Sequence, residues 1–398
     1  MTCISASNAF GAKGDGVTDD TAALQDWLDH LGSKVGCLAP GVYITGPLTC
    51  GPDVTIVGSG LTNSQLKLKN GAAGAILTVT NGTHFTALDI GFDGNRTNCP
   101  SGTLGLHLQG AESGGNGFWI EDCGFFNTRS TGFFQEGTYS KARVANCIAE
   151  GCGLDGIALN ATTTIITGNR CVSNARFGIL VQGNWPQITG NTCTNNGQSV
   201  TGGAGIGVVF ANYAIVSANT CLSNGVTPYF THGIQLNQCS NGIMTGNFSQ
   251  GNNGSGLDVF MSPYTTVSGN QSLNNKVRGI EVDTGSTYTT VSGNVVMGND
   301  EVGINVFNTV GAIIDANTVT GNGVLGTAAN PVSGETNRPY GIACRGGGSY
   351  GNYTRITNNV ISGNIGSGSN GVGLFVEAAC AGVTLTGNLI RVQTQSAY

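Results

Sequence analysis

Beyond residue 34 the apolar positions of this chain recur as two interleaved short strands. One is an apolar pair followed by Thr or Ser, Gly or Ala, and Asn. IITGN ends at Asn169, QITGN at Asn191, IVSAN at Asn219 and IMTGN at Asn247, and the row runs on through Asn270, Asn294, Asn317, Asn359 and Asn388. The other is a Gly followed by alternating apolar residues: GIALN from Gly156, GILVQ from Gly178, GIGVV from Gly205 and GIQLN from Gly233. It continues at Gly256, Gly279, Gly303, Gly341 and Gly373, with earlier relatives at Gly105 and Gly132. Most Asn intervals are 22 to 29 residues, and the one long interval of 42 spans an insertion near residues 327–340. Two strands per period, bounded by Gly and Asn, make one coil of a solenoid. The expected fold class is all-β, a single-stranded right-handed parallel β-helix of roughly a dozen coils. A propeller would need about 40 residues and four strands per blade, which these periods do not supply.

Alternation also sets a register. After each Gly the second and fourth residues point inward, and the third and fifth point outward. The Asn row reads as a ladder of buried amides that satisfy turn carbonyls and one another. The first 34 residues differ. A Gly-rich turn leads into a helix from about Thr18 that places Leu24, Trp27, Leu28 and Leu31 on one face. Residues 1–34 are therefore expected to cap the solenoid formed by residues 35–398, covering apolar core and unpaired edges. No matching polar cap follows the last coil, around Leu389 to Val392, so a short tail or another subunit is expected to cover it.

Composition narrows the class. Glycine supplies 66 of 398 residues and charged residues only 10%, yet 39% are apolar, enough to bury a core. A net charge of −6 without a basic patch argues against a nucleic-acid partner. No apolar run approaches the ~18 residues of a membrane span, and no secretory leader is visible. Among the 13 cysteines, Cys171, Cys193 and Cys221 each lie two residues after an Asn of the row, and Cys123 and Cys147 fall near it, one place out of step. Such a row reads as stacked small core hydrophobes, with disulfides the weaker reading.

FGAKGDGVTDDTAALQ from Phe10 and LAPGVY from Leu38 to Tyr43 resemble the start of the pectate-lyase-like β-helix superfamily. That superfamily includes polysaccharide lyases, glycoside hydrolases, uronan epimerases and phage tailspike depolymerases. The resemblance covers essentially the whole chain and implies a polysaccharide partner, with the fold better specified than the reaction. The middle is similar to mannuronan C-5 epimerase modules in IGFDGNRTN (Ile90 to Asn98) and GLDG (Gly153 to Gly156). That family carries an Asp-Pro-His run with Tyr just before its Gly. Here Phe134, Glu136 and Thr131 stand at the Asp, His and Tyr positions, and Phe177 replaces a later His. Only Asp155 matches, so epimerase activity is not expected. The resemblance, with no leader in view, suits an extracellular or virion-associated protein and a homotrimeric tailspike-like assembly.

In the solenoid register, outward third positions run Gln235, Asp258, Glu281, Asn305, and outward fifth positions run Asn237, Phe260, Asp283, Phe307. The residue before each Gly adds His232 and Arg278. Three acids thus meet on two adjacent coils in a chain with only 22 acidic residues, although like charges on neighbouring strands repel. Two carboxylates, one protonated and one ionised, are the equipment of glycosidic hydrolysis. The expectation is a glycoside hydrolase with Glu281 as the acid and Asp258 or Asp283 as base or nucleophile. His232, Arg278, Gln235, Asn305, Phe260 and Phe307 would bind substrate, and no cofactor or metal is needed. Two readings stay open beside it: a Ca²⁺-dependent lyase using Arg278 as base, and a non-catalytic glycan-binding tailspike or adhesin. A second constellation, His107, Glu136 and Asp155, lies on outward positions of three earlier coils. Trp185 would flank a groove on the same sheet.

Overall fold

The computed structural model describes residues 3–100, 102–110, 117–199, 202–324, 339–346, 353–364 and 372–391. The chain is a right-handed parallel β-helix. It divides into two compact units, Met1–Thr192 and Cys193–Tyr398.

Each coil contributes one strand to each of three parallel sheets. Sheet 1 collects the glycine-led strands, sheet 2 the strands before the Asn turn, and sheet 3 those after it. In the first unit, sheet 1 stacks Leu48–Cys50, Ala75–Thr80, Leu104–Gln109, Phe133–Ser140, Ile157–Thr162 and Ile179–Gln182 in chain order. Strands already form before residue 35: Ile4–Ser5 pairs with Val35–Cys37, and Asp15–Asp19 pairs with Gly41–Thr45. The capping helix spans Thr21–Leu31, three residues later than its sequence start, and buries Leu24, Trp27, Leu28 and Leu31 as expected. Trp27 Nε1 donates to the Ile4 carbonyl at 2.9 Å, tying the helix to the first strand. Inside this unit an aromatic stack replaces part of the aliphatic core, with Phe92 over Phe125 and Phe125 over Phe133 at 5.5 Å each.

In the second unit sheet 1 stacks Gly203–Val209, Thr231–Asn237, Leu257–Phe260, Ile280–Asp283, Ile304–Phe307, Tyr340–Arg345 and Val372–Val376. The Asn row is the buried amide ladder that the repeat predicts. Asn270 shows its logic: its Nδ2 donates to the Met244 carbonyl and to Asn294 Oδ1, both at 3.0 Å, while its Oδ1 accepts from Asn247 N and Nδ2 at 2.9 Å. A second ladder, missed in the sequence, runs five residues further on through Asn224, Asn252, Asn275, Asn299, Asn322 and Asn364. Its signal was present as an Asn five residues after every Asn of the first row except Asn388.

The lead glycines of sheet 1 are required by space. A Cβ on Gly256 would sit 2.0 Å from Ser272 Oγ and 2.5 Å from Asn275 Nδ2, so the second ladder packs directly beneath them.

The cysteine reading needs two corrections. Cys123 and Cys147 are not one place out of step but occupy the Asn-row position itself, and the Cys147 amide donates to Asn169 Oδ1 at 2.9 Å. Cys171, Cys193 and Cys221 are buried and form no disulfide, as expected of core hydrophobes, but a disulfide outside the row joins Cys3 to Cys37. Of the insertion near 327–340, residues 327–338 lie outside the described residues, and Tyr340 opens the strand Tyr340–Arg345.

Candidate active site

Parallel pairing in the second unit puts Gln235 beside Asp258, Asp258 beside Glu281, and Glu281 beside Asn305, with Phe260 beside Asp283. The sequence-derived columns are therefore real columns of side chains. They bring together Asp258, Glu281, Asp283, His232, Arg278, Gln235 and Phe260 around a cavity of about 300 Å³. The third column is outward but not solvated: Asp258 is 4% exposed, Glu281 3% and Asn305 fully buried. Phe230 and His232, which precede Gly233, wall this column, so it forms the floor of a depression.

Burial makes the electrostatics of this floor decisive. Glu281 is gripped from several sides. Arg278 Nη1 donates to its Oε1 at 2.5 Å, and Ser255 Oγ donates to its Oε2 at 2.9 Å. Burial alone would raise the Glu281 pKa, but Arg278, His232, the Ser255 hydrogen bond and Arg345 together hold it below the ordinary glutamate value. Asp258 goes the other way. Its desolvation, with the charge of Glu281 next, pushes its pKa well above the ordinary value, against a hydrogen bond from Gln235 Nε2 at 2.9 Å. Asp283 is also raised, by burial and by Glu281, although the Thr284 amide and hydroxyl donate to it. Desolvation lowers His232 to about 4, so it is a neutral imidazole with Nε2 3.8 Å from Asp258 Oδ2.

These directions run against the expected assignment. Glu281 was expected to be the acid, yet its surroundings favour its ionised form, and those of Asp258 favour its protonated form. The cause is a residue whose reach the register does not give: Arg278 bends toward Glu281 and lies 3.5 Å from Glu301 on its other side. That placement pairs the Arg278 guanidinium with two buried carboxylates. Arg278 and Ser255 already occupy the Glu281 oxygens, and no three His, Cys, Asp or Glu side chains converge as a metal set among the described residues.

The binding residues divide. Phe260 lines the cavity, whereas Phe307 carries the Arg345 guanidinium 5.5 Å from its ring centre, so one face is covered. Asn305 accepts from Arg345 Nε at 2.9 Å, and its amide lies 3.5 Å from Glu281. Ser255, Glu301, Phe230 and Arg345 belong to the site and were not among the candidates. Ser255 and Arg345 stand in the pre-glycine and fifth columns, a signal that went unused.

The second constellation, in the first unit, comes apart. His107 Nε2 lies 3.2 Å from Glu136, and the imidazole stacks on Phe134 at 5.2 Å. Asp155 is not their partner. It accepts from Arg176 Nε at 2.9 Å and Nη2 at 2.6 Å, and from the Phe177 amide at 3.1 Å. A cavity of about 490 Å³ lined by Phe134, Glu136, Asp155, Arg176 and Gln182 lies here, larger than the one at Asp258. Its two carboxylates have separate partners, Glu136 beside His107 and Asp155 beside Arg176.

Comparison with known proteins places the chain. A family profile described as "Right handed beta helix region" matches residues 131–296 and 213–353, and one described as "Rhamnogalacturonase A/epimerase, pectate lyase-like" matches residues 4–207. Mannuronan C5-epimerase AlgE5 of Azotobacter vinelandii is 26% identical over 229 residues, 52% of this chain and 22% of that protein. AlgE6 of the same organism is 33% identical over 106 residues, 22% of this chain and 12% of that protein. The chain thus spans less than a quarter of the length of these curated relatives. Among solved structures, the AlgE4 A-module of Azotobacter vinelandii has a TM-score of 0.66 at 18% identity, covering 99% of this chain and 98% of that one. The Dettilon tailspike protein has a TM-score of 0.55 at 16% identity, covering 94% and 68%.

Proposed function

The chain belongs to the pectate-lyase-like family of right-handed β-helices, and on that premise we propose that it is a polysaccharide-degrading glycoside hydrolase. The observation that supports this reading is the pairing of Asp258 with Glu281 on adjacent strands in one depression, where the surroundings raise the pKa of Asp258 and lower that of Glu281. Asp258 would deliver its proton to the glycosidic oxygen as the C–O bond breaks. Glu281, oriented by Arg278 and Ser255, would attack the anomeric carbon, and water activated by Asp258 would then release the sugar. Neighbouring strands lie about 4.8 Å apart, nearer the ~5–5.5 Å carboxyl separation of retaining enzymes than the ~6.5–9.5 Å of inverting ones. Phe260 would carry a sugar ring, and no cofactor enters the scheme.

Relatives named as mannuronan C5-epimerases fit a carbohydrate substrate, and tailspike neighbours fit an extracellular or virion-associated setting. No helix is long and apolar enough to cross a membrane, which says nothing of strands. A homotrimer is part of the same proposal.

Incubation with capsular, plant and algal polysaccharides tests it. Hydrolysis releases reducing ends without new absorbance at about 235 nm, and Asp258→Asn and Glu281→Gln each lower kcat by about 10²–10⁴-fold. New ultraviolet absorbance would mean elimination, and no product from any polymer would mean a glycan-binding adhesin. Loss of activity in Glu136→Gln with Glu281→Gln unaffected would move the reaction to the first unit.

A further inference from the structure

In the first unit the outer face of sheet 2 carries a concave surface that neither carboxylate cluster uses. Its floor follows from the parallel register: Thr86, Trp119, Arg143, Ile165 and Gln187 lie side by side on successive strands. Its wall is the turn entering each strand, where His84, Gly117, Lys141 and Thr163 hold equivalent positions two residues earlier. Gly117 is obligatory there, because a Cβ would lie 2.0 Å from the Lys141 carbonyl oxygen. The wall therefore drops to bare backbone between His84 and Lys141. The cavity so formed is about 500 Å³, and its floor runs about 19 Å over five strands.

Two features of this groove point to a ligand. Trp119 is 48% exposed yet held in one orientation, with Nε1 donating to Glu121 Oε2 at 2.7 Å and the Arg143 guanidinium 5.8 Å from the ring centre. A fixed, exposed indole, with the exposed Ile165 two strands further on, offers an apolar platform rather than a core contact. The second feature is charge. The chain has a net charge of −6 and only 16 Lys and Arg, yet Lys141, Arg143 and His84 line this one cavity. Arg143 is only partly offset by Glu121 at 3.6 Å, and its buried Nε has no hydrogen-bond partner among the described residues. His84 is paired with Asp53 at 2.8 Å, which leaves Lys141 and Arg143 as the cations open to a ligand.

We propose that this groove is a binding site for an acidic polysaccharide, separate from the site of cleavage. A uronate ring lays its apolar face on Trp119, and its carboxylate takes hydrogen bonds from Arg143 and Lys141. Aromatic platform and cation serve different parts of one sugar, which is why a neutral glycan or a small anion alone satisfies only half of the site. Binding here holds the polymer along the solenoid and does not depend on the hydrolytic reading.

The test uses the full chain carrying Glu281→Gln, so that no oligosaccharide is consumed. Oligogalacturonate, oligoalginate and hyaluronan oligosaccharides are titrated by tryptophan fluorescence and calorimetry, each beside its carboxyl-reduced counterpart. At least one acidic series binds saturably, at least tenfold tighter than its reduced form, and more weakly as salt rises. Lys141→Gln weakens it at least tenfold, and Trp119→Ala removes both the heat and the fluorescence change while circular dichroism is unaltered. Equal binding of the reduced sugars, binding indifferent to Trp119→Ala, or no binding by any acidic series overturns the proposal. So does self-association lost in Trp119→Ala without saccharide binding, which would make the groove a contact between copies. The Asp258→Asn activity assay reads the hydrolytic proposal separately.

Discussion

At the residue scale, the site depends on how burial is shared among a few charges. Arg278 stands between Glu281 and Glu301, and both carboxylates are almost wholly buried, so the cation decides which acids can ionise. His232 gives this a measurable pH dependence. Its pKa falls from 6.5 to about 4 on folding, so the unfolded chain binds its proton more readily. The stability it contributes is complete above pH 6.5 and is lost as pH falls from there through 4. The loss amounts to at most about 3 kcal/mol. Denaturant midpoints between pH 7 and pH 4 should fall less steeply in His232→Gln than in the parent protein. Parallel curves for the two proteins would mean that His232 is not buried neutral.

At the scale of the element, the unit of structure is the coil, and its turn is held by side chains rather than by backbone alone. Asn270→Ala would remove the acceptor of the Asn247 amide and side chain and the donor to the Met244 carbonyl, all on the preceding coil, and the side-chain donor to Asn294 on the following one. Each buried group left unsatisfied costs about 1–3 kcal/mol. A solenoid couples mainly nearest neighbours, so the effect is expected to be local. Hydrogen exchange should show lost protection at the turns of Asn247, Asn270 and Asn294, with the coils of the first unit unchanged. Uniform loss across the chain would mean that the ladder acts globally. This element was legible in the sequence because its row repeats at a countable interval. The second ladder was equally periodic, and it escaped notice because its Asn residues sit amid variable turn residues such as Ser223, Asn253 and Asn274.

At the scale of the whole molecule, the last described strands, Val372–Val376, Thr384–Thr386 and Leu389–Arg391, leave apolar side chains open. Leu385 is 49% exposed, Leu389 46% and Ile390 42%. No further strand pairs with them among the described residues. The homotrimer belongs to the proposal above and is tested at this scale. Sedimentation velocity should show a trimer at micromolar concentration. A monomer would reject the assembly.

By itself the sequence determined the fold, because a parallel solenoid repeats one coil and every repeat votes for the same register. It therefore also determined which residues share a column, and Asp258, Glu281 and Asp283 do meet as the spacing predicted. Only the tertiary structure decided what those residues can do. Arg278 and Glu301 are brought together by side-chain reach across coils, and Asp155 goes to Arg176 rather than to His107 and Glu136. Register follows from local periodicity, whereas protonation follows from desolvation and from charges a few ångströms away, and those exist only once the coils have stacked.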